Sequence, residues 1–426
     1  MRQPPIAAGS PAPRSAAYQI GLTALLSVNF GFVLFDRNAS SFLMPFIQPD
    51  LRITNTQVGI LSSALSLTWS IAAFGVGVLS DRTGSRKGLL ILATLAFSVC
   101  SFSSGIAASF AVLLGTRLLM GIAEGGIMPL SQSLIASDVD ARHRGLAMGV
   151  AQGFGSSFMG SFVAPVILVA FAQAFGWRHA FFIAGAPGLI LALLLAWLVR
   201  APPRPAGAAG APGFSAESLR AVLTERNVVL CAILSVLLVS YLVVCWAFMP
   251  LYLTRARGYD AATMGWLMGS LGISATVASF VIPAISDRIG RRGVMILMPL
   301  IAVLLPLSAL YYRGPAWEVA APFVVGWLVT GVFPLFMSTV PSESVAPQNM
   351  ATALGICMGT GELIGGVLSP SIAGYAADQV GLAAPLWIML GLAALAGVVA
   401  LGIRETAPRV VGLAGAALAR PTGSIG

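Results

Sequence analysis

Twelve apolar stretches follow one another along this chain, and the short loops between them hold nearly all of its charged residues. An apolar run of about 20 residues crosses a lipid bilayer as an α-helix, because a helix satisfies its own backbone hydrogen bonds where no water is available. Only 9% of the residues are charged, against about a quarter in a soluble domain. The sequence therefore predicts an all-α membrane protein with twelve transmembrane helices, surrounded mainly by the lipid bilayer.

One interruption divides the apolar pattern into two sets of six runs. It is rich in Pro, Gly and Ala and ends in a short polar stretch, which is typical of a linker. We expect four regions: an N-terminal six-helix half at 1–199, a cytoplasmic linker at 200–227, a C-terminal six-helix half at 228–403 and a cytoplasmic tail at 404–426.

Basic residues are distributed unevenly between the two ends of the predicted helices. If the N-terminus is cytoplasmic, the segments on its side hold 17 of the 24 Lys and Arg residues, and the opposite loops hold 5. This asymmetry orients helices in a membrane, and it explains the net charge of +9 without a nucleic-acid partner. We expect a multi-pass protein of a bacterial inner membrane with both termini in the cytoplasm.

A short charged motif follows the second run and recurs after the eighth. It reads G-V-L-S-D-R-T-G-S-R-K at 77–87 and P-A-I-S-D-R-I-G-R-R at 283–292, which puts its two Asp residues 206 residues apart. The repeat indicates two pseudo-symmetric halves. We interpret the motif as a gate on the cytoplasmic side, and simple orientation of the helices by its positive charge is the alternative. The gating residues expected from it are Gly77, Asp81, Arg82, Gly84, Arg86, Asp287, Arg288 and Arg291.

Five charged residues lie inside the predicted spans: Asp36, Arg37, Arg117, Glu124 and Glu362. A charge at the centre of a membrane helix costs roughly 2.5 to 3.5 kcal/mol, so each needs a partner, a water-filled cavity or a function. Guanidinium groups match the geometry of a carboxylate or phosphate, and carboxylates can carry protons. We therefore expect the two arginines to bind an anion and the three acids to couple its movement to protons.

The spacing of these charges suggests how they meet. With the first helix predicted to end at residue 43, Asp36 and Arg117 both lie roughly 10 to 12 Å below the outer surface, which would allow an ion pair. Arg117 and Glu124 are seven residues apart and share one helix face. A static salt-bridge network that only stabilises helix packing is the alternative.

The chain resembles the major facilitator superfamily through the repeated charged motif, and within it the anion:cation symporter family. The second resemblance is carried by Asp36-Arg37-Asn38, by the pattern R-x-x-x-G-x-x-E-x-x-x-x-P from Arg117 to Pro129, and by Gly176-Trp177-Arg178. Members of that family are proton- or sodium-coupled carriers of organic anions such as sugar acids, sialic acid and aromatic or dicarboxylic acids.

The resemblance implies that Asp36 and Glu124 take up protons and that the arginines of the same helices contact a small organic anion. Sodium is the less expected coupling ion. Phe35 and Trp69 stand where tyrosines are common in the family. This difference favours an acid that is less polar than a sugar acid.

Five further side chains are expected to line the cavity: Gln152, Ser156, Tyr241, Trp246 and Thr360. Of these, Gln152, Tyr241 and Trp246 are expected to contact the substrate. For the aromatic residues, packing or anchoring at the membrane interface is the alternative. Glu362 is expected as a third proton-coupling site, and the alternative is one acid on a packing face of small residues, GTGELIGG.

We expect a transporter rather than an enzyme. The chain has only two histidines, His143 and His179, and neither is paired with a nucleophile at membrane depth. The four cysteines lack metal-ligand spacing, so we expect no metal and no cofactor. Proton-coupled uptake of an organic anion by a monomer, through alternating access, is the function favoured. Proton-driven efflux of a drug-like compound and exchange of one anion for another remain open alternatives.

Overall fold

The computed structural model describes residues 15–200, 216–407 and 409–410. Within these residues, eleven helices are long and apolar enough to cross a membrane, and a twelfth apolar helix has 17 residues. This confirms the predicted all-α membrane fold with twelve transmembrane helices in two halves. The predicted linker at 200–227 lies partly outside the described residues, so its bounds stay a prediction.

The N-terminal half consists of α1 (Ala16–Leu51), α2 (Asn55–Thr83), α3 (Arg86–Gly105), α4 (Phe110–Asp138), α5 (141–175) and α6 (Trp177–Leu198). The C-terminal half consists of α7 (Arg226–Ala256), α8 (Ala261–Ile289), α9 (Arg291–Tyr311), α10 (Ala316–Ser344), α11 (Pro347–Val380) and α12 (Ala384–Ala400). A short linker helix, Ala216–Leu223, precedes α7.

The helix bounds repeat from one half to the other. The bounds of α2, shifted by 206 residues, are those of α8, and the bounds of α4 shifted by the same number are those of α10. A glycine with positive φ follows α2 (Gly84, 65°) and α8 (Gly290, 110°), a conformation that favours glycine over other residues. The turn chemistry therefore repeats together with the apolar pattern.

The first helix is longer than the sequence predicted. Its expected end was residue 43, but α1 continues through Pro45 and Pro49 to Leu51, and Arg52 ends it with a positive φ of 52°. Two prolines four residues apart remove hydrogen bonds from one helix face only, so the helix continues past them. Asp36 therefore lies about 22 Å from the end of its helix, roughly twice the expected depth.

In each half, the start of the first helix and the end of the last helix lie at the same end of the bundle, which we call the terminal face. There the backbone N–H of Arg200 donates to Tyr18 Oη at 3.1 Å, which joins the end of α6 to the start of α1. Asn227 Nδ2 donates to the carbonyl oxygen of Arg404 at 3.2 Å, which joins the start of α7 to the segment after α12. The opposite end, which carries the turn at 52–54, is the loop face.

Hydrogen bonds fasten the two halves together at the loop face. Asp378 of α11 accepts from the backbone N–H groups of Asn55 (2.9 Å) and Thr56 (2.8 Å) and from the Thr56 hydroxyl (2.6 Å). A carboxylate at a helix N-terminus is favoured by the helix dipole, so Asp378 caps α2 from the other half. Ser63 and Ser371 add a hydroxyl pair at 2.8 Å.

Glycines let the backbones of the two halves touch beside these hydrogen bonds. A Cβ on Gly59 of α2 would lie 2.1 Å from the carbonyl oxygen of Pro370, and one on Gly374 of α11 would lie 2.3 Å from a carbonyl oxygen of α2. A Cβ on Gly272 of α8 would lie 2.4 Å from the backbone nitrogen of Phe162 in α5. We call these contacts and the Asp378 cap the loop-face seal.

Candidate functional site

A cavity of about 450 Å³ lies between the two halves, on the terminal-face side of the seal. Its walls are formed by α1, α2, α4 and α5 of the N-terminal half and by α7, α8, α10 and α11 of the C-terminal half. Ligand pockets commonly measure about 300 to 1,000 Å³. The cavity therefore has room for one small molecule that both halves contact.

The wall contributed by the N-terminal half is the more polar of the two, although it also includes Phe30, Leu34, Leu61, Leu65, Trp69 and Met128. Its polar residues are Arg37, Asn38, Ser40, Ser41, Ser62, Ser66, Ser156, Ser157 and Ser161. Ser156 donates to the carbonyl oxygen of Gly153 at 3.3 Å, whereas the other six serine hydroxyls have no hydrogen-bond partner among the described residues. Ser156 was expected at the cavity from the sequence, whereas Thr360, also expected there, does not line it. The other six serines were not predicted, although a spacing of four in Ser62 and Ser66 places both on one helix face.

The wall contributed by the C-terminal half is mainly apolar. Its apolar residues are Val239, Leu242, Val243, Trp246, Ala275, Trp327, Phe333, Met337 and Met358. Trp246 and Trp327 meet edge to face with ring centroids 5.3 Å apart, and Phe42 meets Trp246 in the same way at 5.5 Å. The hydroxyls of Ser279 and Thr330 donate to backbone carbonyl oxygens at 2.8 and 3.0 Å.

Arg37 extends from α1 into the cavity. Its guanidinium carbon lies 4.8 Å from the ring centroid of Trp69, a cation–π contact that holds the side chain against α2. The next residue, Asn38, donates to the carbonyl oxygen of Gly160 at 2.9 Å and ties α1 to α5. Among the described residues that line the cavity, Arg37 carries the only positive charge.

Glu362 enters the cavity from the opposite half. It lies in a π-helical segment of α11, Gly361–Gly366, and its counterpart 206 residues earlier, Ser156, lies in a π-helical segment of α5, Val150–Val163. Both residues line the cavity. Wide turns of this kind occur often at functional sites.

A cluster of charges lies behind the cavity wall, inside the N-terminal half. Asp36, Arg117 and Glu124 are fully buried, and none of them lines the cavity. Asp36 accepts a hydrogen bond from Ser101, and Arg117 Nη2 donates to Ser104 Oγ at 2.5 Å. Each group thus bonds to a hydroxyl of α3, so the direct ion pair expected between Asp36 and Arg117 is not formed in this structure.

Several polar atoms of this cluster lack a hydrogen-bond partner among the described residues. They are Asp36 Oδ2, Arg117 Nε and Nη1, and both carboxylate oxygens of Glu124. The guanidinium of Arg117 lies 5.3 Å from the ring centroid of Phe181. Two carboxylates and one guanidinium are therefore buried together, where bound protons could neutralise a carboxylate and bound water could satisfy the unpaired polar atoms.

The substrate contacts expected from the sequence are distributed between these two layers. Arg37 and Trp246 line the cavity, whereas Arg117 lies in the buried cluster. Tyr241 is buried away from the cavity, where its hydroxyl donates to the carbonyl oxygen of Ala302 at 2.8 Å, a packing role. The side chain of Gln152 lies outside the described part of the structure.

The repeated charged motif lies at the terminal face. In its second copy Arg291 is buried and donates to Asp287 in the last turn of α8. It also donates to Glu343 of α10 through Nη2 (2.9 Å) and Nε (3.2 Å). Such bidentate pairs fix geometry as well as charge. Glu405 completes the network by accepting from the backbone N–H of Arg291 at 2.8 Å and of Arg292 at 3.1 Å.

The other expected gating residues are less constrained. Arg288 is exposed and Arg86 is partly exposed. The side chains of Asp81 and Arg82 and the surroundings of Gly77 lie outside the described part of the structure. The gating role of the motif therefore stays a prediction, although its second copy is ordered by three acids from different segments.

Comparisons with known proteins give consistent results. The profile of the Major Facilitator Superfamily matches residues 26–361 and 243–422. A probable 4-methylmuconolactone transporter of Cupriavidus pinatubonensis is 30% identical, over 79% of this chain and 81% of its own. A hexuronate transporter of Bacillus subtilis is 27% identical, over 84% and 87%.

The fold has a close counterpart among solved structures. A bacterial homologue of the human lysosomal transporter Spinster, in an inward-facing and unoccupied conformation, superposes with a TM-score of 0.73 at 18% identity. The match covers 91% of this chain and 98% of that one.

Proposed function

This chain belongs to the major facilitator superfamily and is a multi-pass membrane transporter, and from that premise we propose that it takes up a small organic anion together with a proton. The observation that carries the proposal is Arg37. It brings a permanent positive charge into a cavity that both halves line, where a carboxylate can bind it in bidentate fashion. The relative named for hexuronate transport supports an organic anion, because a uronate is a carboxylate.

The buried cluster supports coupling to protons. Asp36 and Glu124 are buried together with Arg117, and both carboxylate oxygens of Glu124 lack a hydrogen-bond partner among the described residues. A bound proton is the simplest group that would neutralise such an unpaired buried carboxylate. Asp36 is also the residue next to Arg37. An anion that binds Arg37 can therefore change the electrostatic surroundings of the proton site, which is the link that symport needs.

In this proposal Arg117 acts on the two acids rather than on the substrate directly. Its guanidinium is close enough to influence the charge of Asp36 and of Glu124. A contact between Arg117 and the anion would require the cavity to deepen during the transport cycle.

We further propose that the terminal face is cytoplasmic and that the membrane is a bacterial inner membrane. The excess of Lys and Arg on that side supports this orientation. The loop-face seal then closes the outer side of a monomer, and the cavity belongs to an inward-facing state. Rocking of the halves at 1–199 and 228–403 would break the seal and close the terminal face, where the charged motifs lie.

Uptake of radiolabelled carboxylates into proteoliposomes tests the proposal. We expect one or more carboxylates to accumulate when the inside is made alkaline, and accumulation to disappear with an uncoupler. Uptake that requires a preloaded anion and ignores the proton gradient would instead indicate anion exchange. Extrusion of uncharged or cationic drugs without any carboxylate transport would overturn the proposal in favour of efflux.

A further inference from the structure

The two walls of the cavity differ in what they offer a ligand. Six serine hydroxyls of the N-terminal wall have no partner among the described residues, so they can bond to a ligand. On the C-terminal wall, the hydroxyls of Ser279 and Thr330 already donate to the backbone of their own helices. A ligand that satisfies both walls therefore has one polar side and one apolar side.

Aromatic rings form the firmest part of the apolar wall. Trp327 is fully buried, it meets Trp246 edge to face, and Phe42 supports Trp246 from α1. Rings that hold one another in place present a preformed apolar surface. Such a surface suits a flat ring better than a carbon chain that carries hydroxyl groups, because the hydroxyls would lose their bonds to water.

The charges of the cavity limit how many carboxylates a ligand can have. Arg37 and Glu362 are the only charged residues among the described residues that line it, and they come from opposite halves. Their charges cancel when the cavity is empty. One carboxylate of a ligand can meet Arg37, but a second carboxylate on the far side of a ring would meet that of Glu362 and be repelled.

Building on the proposed function, we propose that Glu362 restricts this cavity to monocarboxylates that carry one flat apolar ring. The carboxylate binds Arg37, the ring lies against Trp246 and Trp327, and a polar substituent on the ring faces the serines of the N-terminal wall. Glu362 is then a specificity-determining residue that excludes dicarboxylates, and the aromatic wall disfavours acids whose ring carries many hydroxyls.

Three probes separate the contributions of charge and ring. Benzoate has one carboxylate and a flat ring, terephthalate adds a second carboxylate opposite the first, and glucuronate has one carboxylate on a ring that carries hydroxyls. Their Kd values are measured by calorimetry on the purified full-length chain, for the wild type, Glu362→Gln and Glu318→Gln. Glu318 is a matched control, because it lies in the first turn of α10 and does not line the cavity.

We expect the wild type and Glu318→Gln to bind benzoate at least about tenfold more tightly than either other probe. In Glu362→Gln, the Kd of terephthalate should come within about threefold of that of benzoate, while glucuronate stays weak. If the Gln variant does not fold, Glu362→Ser repeats the test with the residue that occupies the counterpart position 156.

The possible results distinguish this inference from the proposed function. Equal binding of benzoate and terephthalate by the wild type, or an unchanged ratio of their Kd values in the folded Glu362 variant, overturns the inference. Tighter binding of glucuronate than of benzoate also overturns it, but the proposed function stands, since a carboxylate still binds. If no carboxylate binds at all, both fall together.

Discussion

At positions 206 residues apart, the two halves have the same helices but different side chains. Arg37 of α1 corresponds to Val243 of α7, and both line the cavity. Glu124 of α4 corresponds to Thr330 of α10, and the buried position of Arg117 is taken by a phenylalanine in the C-terminal half. The N-terminal half therefore holds the positive charge of the cavity and the buried charge cluster, whereas the C-terminal half contributes rings and one acid.

At the terminal face, the ion-pair network lies in the C-terminal half instead. Ser85 corresponds to Arg291, and Ser137 corresponds to Glu343. The described contacts of the first motif copy therefore do not include this ion pair. A repeated helical scaffold needs only a repeated apolar pattern and repeated turns, while charge chemistry depends on individual residues. The comparison teaches that the two halves can share a fold and divide the tasks of binding, coupling and gating.

The largest effect is expected when the proton chemistry of the N-terminal half is removed. Glu124→Gln should abolish accumulation driven by a proton gradient but keep exchange of the bound carboxylate, because Gln resembles a permanently protonated acid. Gradient-driven uptake and counterflow are compared in proteoliposomes, with Asp36→Asn tested in parallel. Glu362→Gln is the matched control from the other half and should still accumulate substrate.

Either of two results would break the comparison between the halves. If Glu362→Gln loses accumulation while Glu124→Gln and Asp36→Asn keep it, coupling belongs to the C-terminal half. If all three variants accumulate substrate normally, none of these acids is the coupling site, and a static buried network or sodium coupling explains them better.

A smaller effect, on the affinity for a carboxylate, is expected when one position is given the same residue in both walls. Arg37→Val introduces the counterpart residue and removes the charge-assisted hydrogen bonds to the carboxylate, which should weaken its binding by about 10- to 100-fold. The Kd of the best carboxylate is measured on purified protein. Arg313→Gln, in the loop between α9 and α10, removes the same charge elsewhere and should leave the Kd unchanged; equal losses in both variants would point to net charge rather than to the site.

The third prediction concerns the contact that joins the halves. Asp378→Ala removes three hydrogen bonds between the halves at the first turn of α2, which keeps its own capping box from Thr54 and Gln57. The population should shift toward a state open at the loop face, by a few-fold for a loss of about 1 kcal/mol. Spin-label distances between Arg52→Cys and Val380→Cys report the opening, since Val380 is exposed at the end of α11. Asp260→Ala is the matched control, because Asp260 caps α8 within one half through Thr263 at 3.1 Å, and an equal shift there would contradict the prediction.

The smallest effect, on the stability of the fold, is expected for Glu405. This residue accepts hydrogen bonds from the second copy of the charged motif. Partial burial alone would raise the pKa of Glu405, but four backbone N–H groups that bond to its carboxylate bring the pKa below its ordinary value of 4.5. A lowered folded-state pKa means that the stabilisation is present above about pH 4.5 and is lost as the pH falls through the folded-state pKa.

The melting temperatures of the wild type and Glu405→Gln measure this contribution. We expect the wild type to be more stable at pH 7 by about 1 kcal/mol or less, since the site is partly exposed to solvent. The difference should shrink below pH 4.5. A difference that stays constant down to pH 3 would show that the carboxylate charge is not responsible.

The sequence predicted the scaffold well because apolar runs and glycine turns act locally. It also placed Arg117 and Glu124 correctly on one helix face, since their spacing of seven follows from helix geometry. Spacing cannot say which neighbour that face meets, and here it packs against Ser104 and Phe181 inside the half rather than against the cavity. Except for Ser156, the serines of the cavity wall were not predicted, because one small hydroxyl group does not change the apolar character of a membrane-spanning run.

The glycine contacts of the loop-face seal have a consequence for the energy supply of the cell. Where Gly59 and Gly374 meet the opposite half, the two backbones touch with no side chain between them. We expect a bulkier residue at either position to separate the two helices and admit a chain of water molecules. Protons would then cross along this chain without any substrate. We expect such a variant to fold, bind its substrate and transport it. It would also dissipate the electrochemical gradient that other membrane proteins depend on. At these two glycines we therefore expect close packing to provide electrical insulation as well as stability.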